Sequence, residues 1–174
     1  MHTFNTCRRI VSITMALGLI SAVSGCDEDE TAPADIMGSF GEHLVNQEGE
    51  KVSTAELKGK KIGLYFSAQW CPPCRAFTPI LVETYNELQE QEKPFEIVFV
   101  SADRTEDEMY AYMRDYEMDW LAFDFDDEKR TTLPRSHNVR GIPSLIIVDE
   151  AGNTLSKNGI DEVAEHGADA FAQW

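Results

Sequence analysis

The chain has 174 residues, of which 15 are lysine or arginine and 31 are aspartate or glutamate, so its formal net charge is -16. This length fits one domain of ordinary size with an extra segment, and 43% hydrophobic residues exclude a wholly disordered chain. The negative charge disfavours a general binder of nucleic acids or anionic membranes, because phosphate groups are bound through lysine and arginine. Four cysteines in so long a chain do not indicate a small fold held together by disulfides.

Residues 1–25 have the composition of an export signal. They contain no acidic residue, and Arg8 and Arg9 precede an apolar run over residues 10–20. The run is shorter than the ~20 residues that a transmembrane helix needs, so a cleaved secretory signal is favoured over an uncleaved anchor. The next residues, Val23-Ser24-Gly25-Cys26, resemble the bacterial lipobox, in which the cysteine is lipidated and becomes the first residue of the mature protein.

The lipobox resemblance divides the chain into three parts. We expect residues 1–25 to be a lipoprotein signal peptide, residues 26–37 an acidic flexible tether and residues 38–174 the folded domain, because the tether segment has charges but no periodicity. Lipidation of Cys26 would anchor the protein in the cell envelope, facing the periplasm or the cell exterior. Asp27, directly after the cysteine, resembles the signal that keeps lipoproteins in the inner membrane, and it favours that membrane.

The first half of the domain has the patterns of a hairpin, a strand and a long helix. Residues 44–52 predict a small hairpin that turns at Gly49, and residues 53–57 predict a single helical turn. The nearly continuous apolar run over 62–68 predicts a strand buried on both faces, and a helix is expected over 72–91. The predicted buried stripe of this helix is Phe77, Ile80, Leu81, Tyr85 and Leu88.

The second half continues the alternation. Apolar runs over 95–100 and 144–149 predict two more buried strands. Thr105 and Glu108 form a capping-box pattern, in which each side chain binds the backbone N–H of the other residue and a helix begins. The other expected elements are a short helix over 126–137, a return strand over 154–157 and a helical segment over 162–174. This order predicts an α/β fold, with a central mixed β-sheet flanked by helices on both faces.

The candidate reactive residues lie in Trp70-Cys71-Pro72-Pro73-Cys74, where a predicted buried strand meets a predicted helix. Two cysteines separated by two residues can close a disulfide across one helical turn. At a helix N-terminus the unpaired N–H groups and the helix dipole stabilise an anion, so the pKa of the Cys71 thiol should lie below the ~8.5 of a free cysteine. The thiolate would attack a partner disulfide, and Cys74 would then resolve the mixed disulfide.

Two other interpretations of the cysteine pair are weaker. A zinc site needs four ligands, and no second pair of cysteines or histidines stands at a plausible spacing. An inert structural disulfide that closes so short a loop would add little stability. The position of the pair between strand and helix favours a redox-active pair instead.

The residues around this pair resemble a known family. Residues 67–75, Ser-Ala-Gln-Trp-Cys-Pro-Pro-Cys-Arg, look like the active site of the thioredoxin superfamily, and the Pro-Pro pair is similar to that of its tryparedoxin and nucleoredoxin branch. Residues 99–104 and 120–122 resemble the next landmarks of that branch, and residues 139–145 resemble the cis-proline loop of the superfamily. The resemblance implies the thioredoxin fold, a central mixed β-sheet with helices on both faces.

The resemblance also implies roles for particular residues. Cys71 and Cys74 would be the catalytic pair, and the bond between Ile142 and Pro143 would be cis, with Ile142 offering its backbone to the partner chain. Thioredoxins usually carry a buried acid six residues before the first cysteine, whereas this chain has Tyr65 there, as the branch tends to, which leaves the acid-base partner of Cys74 open. The implied docking surface comprises Trp70, Pro72, Pro73, Ile142 and Pro143.

These observations predict a membrane-tethered thiol-disulfide oxidoreductase, with reduction of cell-envelope proteins favoured by the family resemblance. Its partners would be protein thiols and disulfides as substrates, a membrane or soluble thiol as electron donor, and the membrane through the lipid anchor. No nucleic acid, metal or cofactor is expected, because the redox group is the Cys71–Cys74 pair. Net oxidation or isomerisation of disulfides is an alternative activity, and a non-catalytic binding module of the same fold is a second alternative.

Overall fold

The computed structural model describes residues 40–174. The predicted signal peptide, the lipidation site Cys26 and the predicted tether lie outside these residues and stay predictions. No helix in the described part of the chain is long and apolar enough to cross a bilayer. The elements are β1 (His43–Val45), β2 (Lys51–Ser53), a 3-10 turn (Thr54–Leu57), β3 (Lys61–Ser67), α1 (Pro72–Glu90), β4 (Phe95–Ser101), α2 (Glu106–Asp115), β5 (Leu121–Ala122), α3 (Lys129–Ser136), β6 (Ser144–Val148), β7 (Thr154–Ser156), α4 (Gly159–His166) and a closing 3-10 segment (Gly167–Gln173).

The strands form one mixed sheet in the order β2-β1-β5-β4-β3-β6-β7. β4 runs parallel to both of its neighbours, β3 and β5, while the outer pairings are antiparallel. Parallel strands need a crossover connection, and α1 provides it between β3 and β4. The register pairs Ser67 with Ser101 at the last residue of each strand. The segments that follow the two strands therefore leave the sheet at the same edge.

The sheet separates two apolar cores, which explains why β3 has no polar alternation. Successive side chains of a strand point to opposite faces, so Leu64 and Phe66 contribute to one core and Tyr65 to the other. Helices α1, α2 and α4 cover the Tyr65 face, through residues such as Leu81, Met113 and Val163. On the other face lie the 3-10 turn and α3, which contribute Leu57 and the half-buried Leu133. The predicted mixed sheet with helices on both faces is confirmed.

The structure corrects two details of the predicted elements and adds one strand. Ile80 is 43% exposed, because the buried face of α1 passes through Thr78 and Leu81 instead. Thr105 caps α2 as predicted, but the Glu108 carboxylate accepts the N–H of the preceding residue, at position 104, rather than that of Thr105. Strand β5 has two residues, too few to show a pattern in the sequence.

Candidate active site

Cys71 occupies the N-cap position of α1, as the sequence predicted. Its backbone is extended, and its Sγ accepts the backbone N–H of Cys74 at 3.3 Å. Pro72 and Pro73 follow in the first turn, where a missing N–H costs no helical hydrogen bond. A sulfur in this position receives one of the unpaired N–H groups of the helix end, an interaction that favours a thiolate over a thiol.

The two cysteines form a disulfide, with their Cα atoms 5.2 Å apart. Cys74 is fully buried, whereas Cys71 keeps 4% of its surface exposed. A partner disulfide that approaches from solvent therefore meets Cys71 first. Among residues 40–174, no three histidine, cysteine, aspartate or glutamate side chains are grouped so that they could hold a metal ion.

The loop before β6 packs against the disulfide. The peptide bond between Ile142 and Pro143 is cis, which confirms that prediction. Ile142 packs on the cysteine pair, and its carbonyl oxygen lies 3.8 Å from the Sγ of Cys71. Ile142 and Pro143 are half-buried, while Pro72 and Pro73 are exposed at the start of α1. The structure thus brings the implied docking residues of two distant segments to the same disulfide.

Trp70 is held by the segment that follows β4. Its side chain is 46% exposed, its Nε1–H donates to the carbonyl oxygen of Ala102 at 3.0 Å, and the Arg104 guanidinium lies 5.5 Å from the centre of its ring. One residue earlier, the Gln69 N–H donates to the Asp103 carboxylate at 2.7 Å. These contacts tie the loop before Cys71 to the neighbouring strand end.

Asp103 and Arg130 were not identified from the sequence. The Asp103 carboxylate is buried and also accepts the Ser101 hydroxyl at 2.8 Å; burial raises its pKa, which the hydrogen bonds from Ser101 and Gln69 partly oppose. Arg130 donates to the carbonyl oxygens of Ser101 at 3.1 Å and Asp103 at 3.0 Å, and also to that of Phe125. The guanidinium therefore fixes α3 to the end of β4, a contact between distant segments that no local pattern reveals.

Tyr65 belongs to a ring of buried hydroxyl groups beneath α1. Thr78 Oγ1 donates to the Cys74 carbonyl oxygen at 2.9 Å and contacts the hydroxyls of Tyr65 at 2.8 Å and Tyr112 at 2.5 Å. Ser67 Oγ donates to the Tyr65 hydroxyl at 3.0 Å and lies 3.2 Å from that of Tyr112. Ser67 donates to Tyr65 and Thr78 donates to Cys74, so two tyrosine protons remain for three contacts. We assign both to Thr78, which leaves only the longest contact, between Ser67 and Tyr112, without a proton.

This ring stands where thioredoxins carry an acid. Burial, together with the neighbouring Tyr112, raises the pKa of Tyr65 far above its usual range, so the group stays a neutral hydroxyl at physiological pH. The ring touches Cys74 through its backbone carbonyl group. Tyr65 is thus a buried core residue whose hydroxyl belongs to a polar network.

Comparisons with known proteins agree with this geometry. A family model described as thioredoxin-like matches residues 59–154. The chain is 50% identical to probable nucleoredoxin 1 of Arabidopsis thaliana over 129 residues, which are 74% of this chain and 22% of that protein. It is similar to the crystal structure of native tryparedoxin I of Crithidia fasciculata, with 36% identity and a TM-score of 0.70, over 79% of this chain and 94% of that one. It is also similar to the crystal structure of thioredoxin from Wuchereria bancrofti, with 39% identity and a TM-score of 0.66, over 71% of this chain and 85% of that one.

These similarities cover the domain but a small part of the longer relatives. The chain spans 22% of the length of probable nucleoredoxin 1 of Arabidopsis thaliana and 33% of that of probable nucleoredoxin 3 of Oryza sativa subsp. japonica. The thioredoxin fold is confirmed, as is the resemblance to both nucleoredoxins and tryparedoxins.

Proposed function

The chain belongs to the thioredoxin-like family, and we propose that it is a thiol-disulfide oxidoreductase with Cys71 as nucleophile and Cys74 as resolving cysteine. The observation that carries the proposal is the position of Cys71. It caps α1 with its sulfur, keeps the exposed surface of the pair and lies beside the cis-proline loop. Each of these features suits a thiolate that a partner disulfide must reach.

The reaction begins from the reduced cysteine pair. The Cys71 thiolate attacks one sulfur of the partner disulfide, forms a mixed disulfide and releases the other sulfur as a thiolate. Cys74 then attacks Cys71, which restores the Cys71–Cys74 disulfide and releases the second partner sulfur. Two electrons pass to the partner, and the proton lost by Cys74 goes to a departing thiolate. The pair is itself the redox group, so the cycle needs a thiol donor and no cofactor.

Insulin reduction with a thiol donor tests this proposal. The wild-type domain should accelerate the reaction, and Cys71→Ser should abolish the acceleration. Cys74→Ser should instead accumulate a mixed disulfide with its partner, because the resolving thiol is missing. An unreactive wild-type protein, or a Cys71→Ser variant as active as wild type, would contradict the assignment.

We further propose that the domain acts at a membrane surface, as a lipoprotein anchored through Cys26 and facing the periplasm or the cell exterior. The lipobox-like sequence that ends at Cys26 supports this location, and Asp27 favours the inner membrane. Its substrates there would be disulfides of envelope proteins, with a membrane or soluble thiol as electron donor. Cys26→Ser should release a soluble or unprocessed form on fractionation. A variant that matures and fractionates like wild type would exclude the lipid anchor.

A further inference from the structure

A cavity of about 320 Å³ opens between Trp70 and the cis-proline loop, whose Ile142 also packs on the cysteine pair. Trp70 and Ile142 border it, and Phe66, Val100 and Val139 supply much of its apolar lining. Its volume is at the low end of ligand pockets, which span ~300–1,000 Å³. It therefore suits one or two side chains of a peptide rather than a large cofactor.

The charged groups of this lining are two arginines, and no carboxylate lines the cavity. The Arg130 guanidinium is bound to backbone carbonyl groups. Burial lowers its pKa, and the carboxylates of Asp103, Asp126 and Asp124 partly oppose this shift. Arg140 differs, because it is exposed and forms no ion pair with any carboxylate of residues 40–174. The mouth of the apolar cavity thus carries a cation that is available to a partner.

This local charge opposes the charge of the whole chain, which is -16. At physiological ionic strength charges are screened over ~8 Å. The charge preference for a partner segment in contact with this surface is therefore set by the groups that line the cavity. A planar guanidinium binds a carboxylate through two parallel hydrogen bonds. The surface therefore complements an acidic side chain placed next to an apolar one.

We propose that the cavity is a specificity subsite for an extended segment of the partner protein, in which the reactive cysteine is flanked by an apolar residue and, within about two positions, by an acidic residue. The partner sulfur must reach Cys71, whose Sγ lies 3.8 Å from the Ile142 carbonyl oxygen, and Ile142 also borders the cavity. An extended chain advances ~3.3 Å per residue, so the neighbours of that cysteine meet the cavity and then Arg140. The assignment rests on the proposed oxidoreductase function.

Matched peptides test the subsite. Each carries one cysteine as a mixed disulfide with nitrothiobenzoate, a leucine beside it, and glutamate, glutamine or lysine at the next position. The reduced protein loses two electrons and becomes the disulfide, while the peptide thiol and a coloured thiolate are released. Under single-turnover conditions, the second-order rate constant of the reduced wild-type protein should be about fivefold higher for the glutamate peptide than for the lysine peptide, the size expected of a partly exposed ion pair. The ratio should fall as salt is raised.

Two charge variants isolate the contribution of the cavity. Arg140→Glu should reverse the ratio, so that the lysine peptide becomes the better substrate. Arg135→Glu changes the net charge equally on α3, and it should keep the wild-type preference, because this exposed residue does not line the cavity. Replacing the leucine of the peptide by glycine should lower the second-order rate constant about tenfold in the wild type. In Ala102→Phe, whose larger side chain would fill the cavity, the leucine and glycine peptides should react at equal rates.

The outcomes separate the subsite from the catalytic assignment. Turnover of all peptides at equal rates, or equal shifts in the Arg140 and Arg135 variants, would overturn the subsite while leaving the oxidoreductase intact. Failure to turn over any peptide, together with inactivity on insulin, would remove the proposed function and the subsite with it.

Discussion

Thr78 is the centre of the hydroxyl ring beneath α1, and its replacement by valine gives a quantitative test of that ring. The substitution keeps the shape of the side chain and removes the acceptor of two tyrosine protons. Tyr112 can redirect its proton to Ser67, since that contact of 3.2 Å is unfilled. Tyr65 has no such replacement, because its hydroxyl already accepts from Ser67.

The cost of Thr78→Val follows from the stranded donor. Tyr65 is fully buried, so water cannot replace the lost acceptor. A buried donor without a partner costs ~1–3 kcal/mol, and we expect a loss of about 2 kcal/mol in the free energy of unfolding. Urea unfolding of the oxidised protein measures this loss, with the disulfide kept intact in every sample.

Thr84→Val is the matched control. Thr84 is a second buried threonine of α1, and its hydroxyl makes no hydrogen bond to the ring. The same chemical change should therefore alter the free energy of unfolding by no more than about 0.5 kcal/mol. If the two variants lose equal stability, the hydroxyl ring contributes nothing beyond burial, and the proton assignment has no energetic meaning.

Three further predictions concern other parts of the molecule. Burial raises the pKa of Asp103, so this carboxyl group binds a proton more tightly in the folded protein than in the unfolded chain. The free energy of unfolding should therefore fall as pH rises from ~4 through the raised pKa. In Asp103→Asn, the urea midpoint should lack that part of the decline. Alkylation of the reduced protein near neutral pH should label Cys71 before Cys74, as mass spectrometry of short reactions can show; earlier labelling of Cys74 would reverse the assignment of the nucleophile. Gly159→Ala should destabilise the fold by about 1–3 kcal/mol in urea, because a Cβ there would lie 2.7 Å from a backbone oxygen of β6. Gly141→Ala, where a Cβ meets nothing within 4 Å, should leave stability unchanged.

Local patterns in the sequence predict the chemistry of this site better than its supports. Cys71 could be placed at a helix N-terminus because a buried strand, two prolines and an apolar helical stripe surround it in the chain. The cis bond before Pro143 followed from a resemblance, not from spacing. The Asp103–Gln69 contact joins two strand ends, and the contacts from Arg130 reach the same end from α3, which has no buried residue to mark it. Such contacts depend on which segments the fold brings together, so neither composition nor periodicity indicates them.

The capping role of Cys71 couples the start of α1 to the reduction potential of the cysteine pair. A thiolate accepts the Cys74 N–H more strongly than the uncharged sulfur of a disulfide does, so this hydrogen bond stabilises the reduced form of the pair over the oxidised form. Every 1.4 kcal/mol gained in this way raises the reduction potential by ~30 mV and makes the protein a stronger oxidant. The first turn of the helix therefore sets in which direction electrons flow between the domain and its partners, without any change in the two sulfurs.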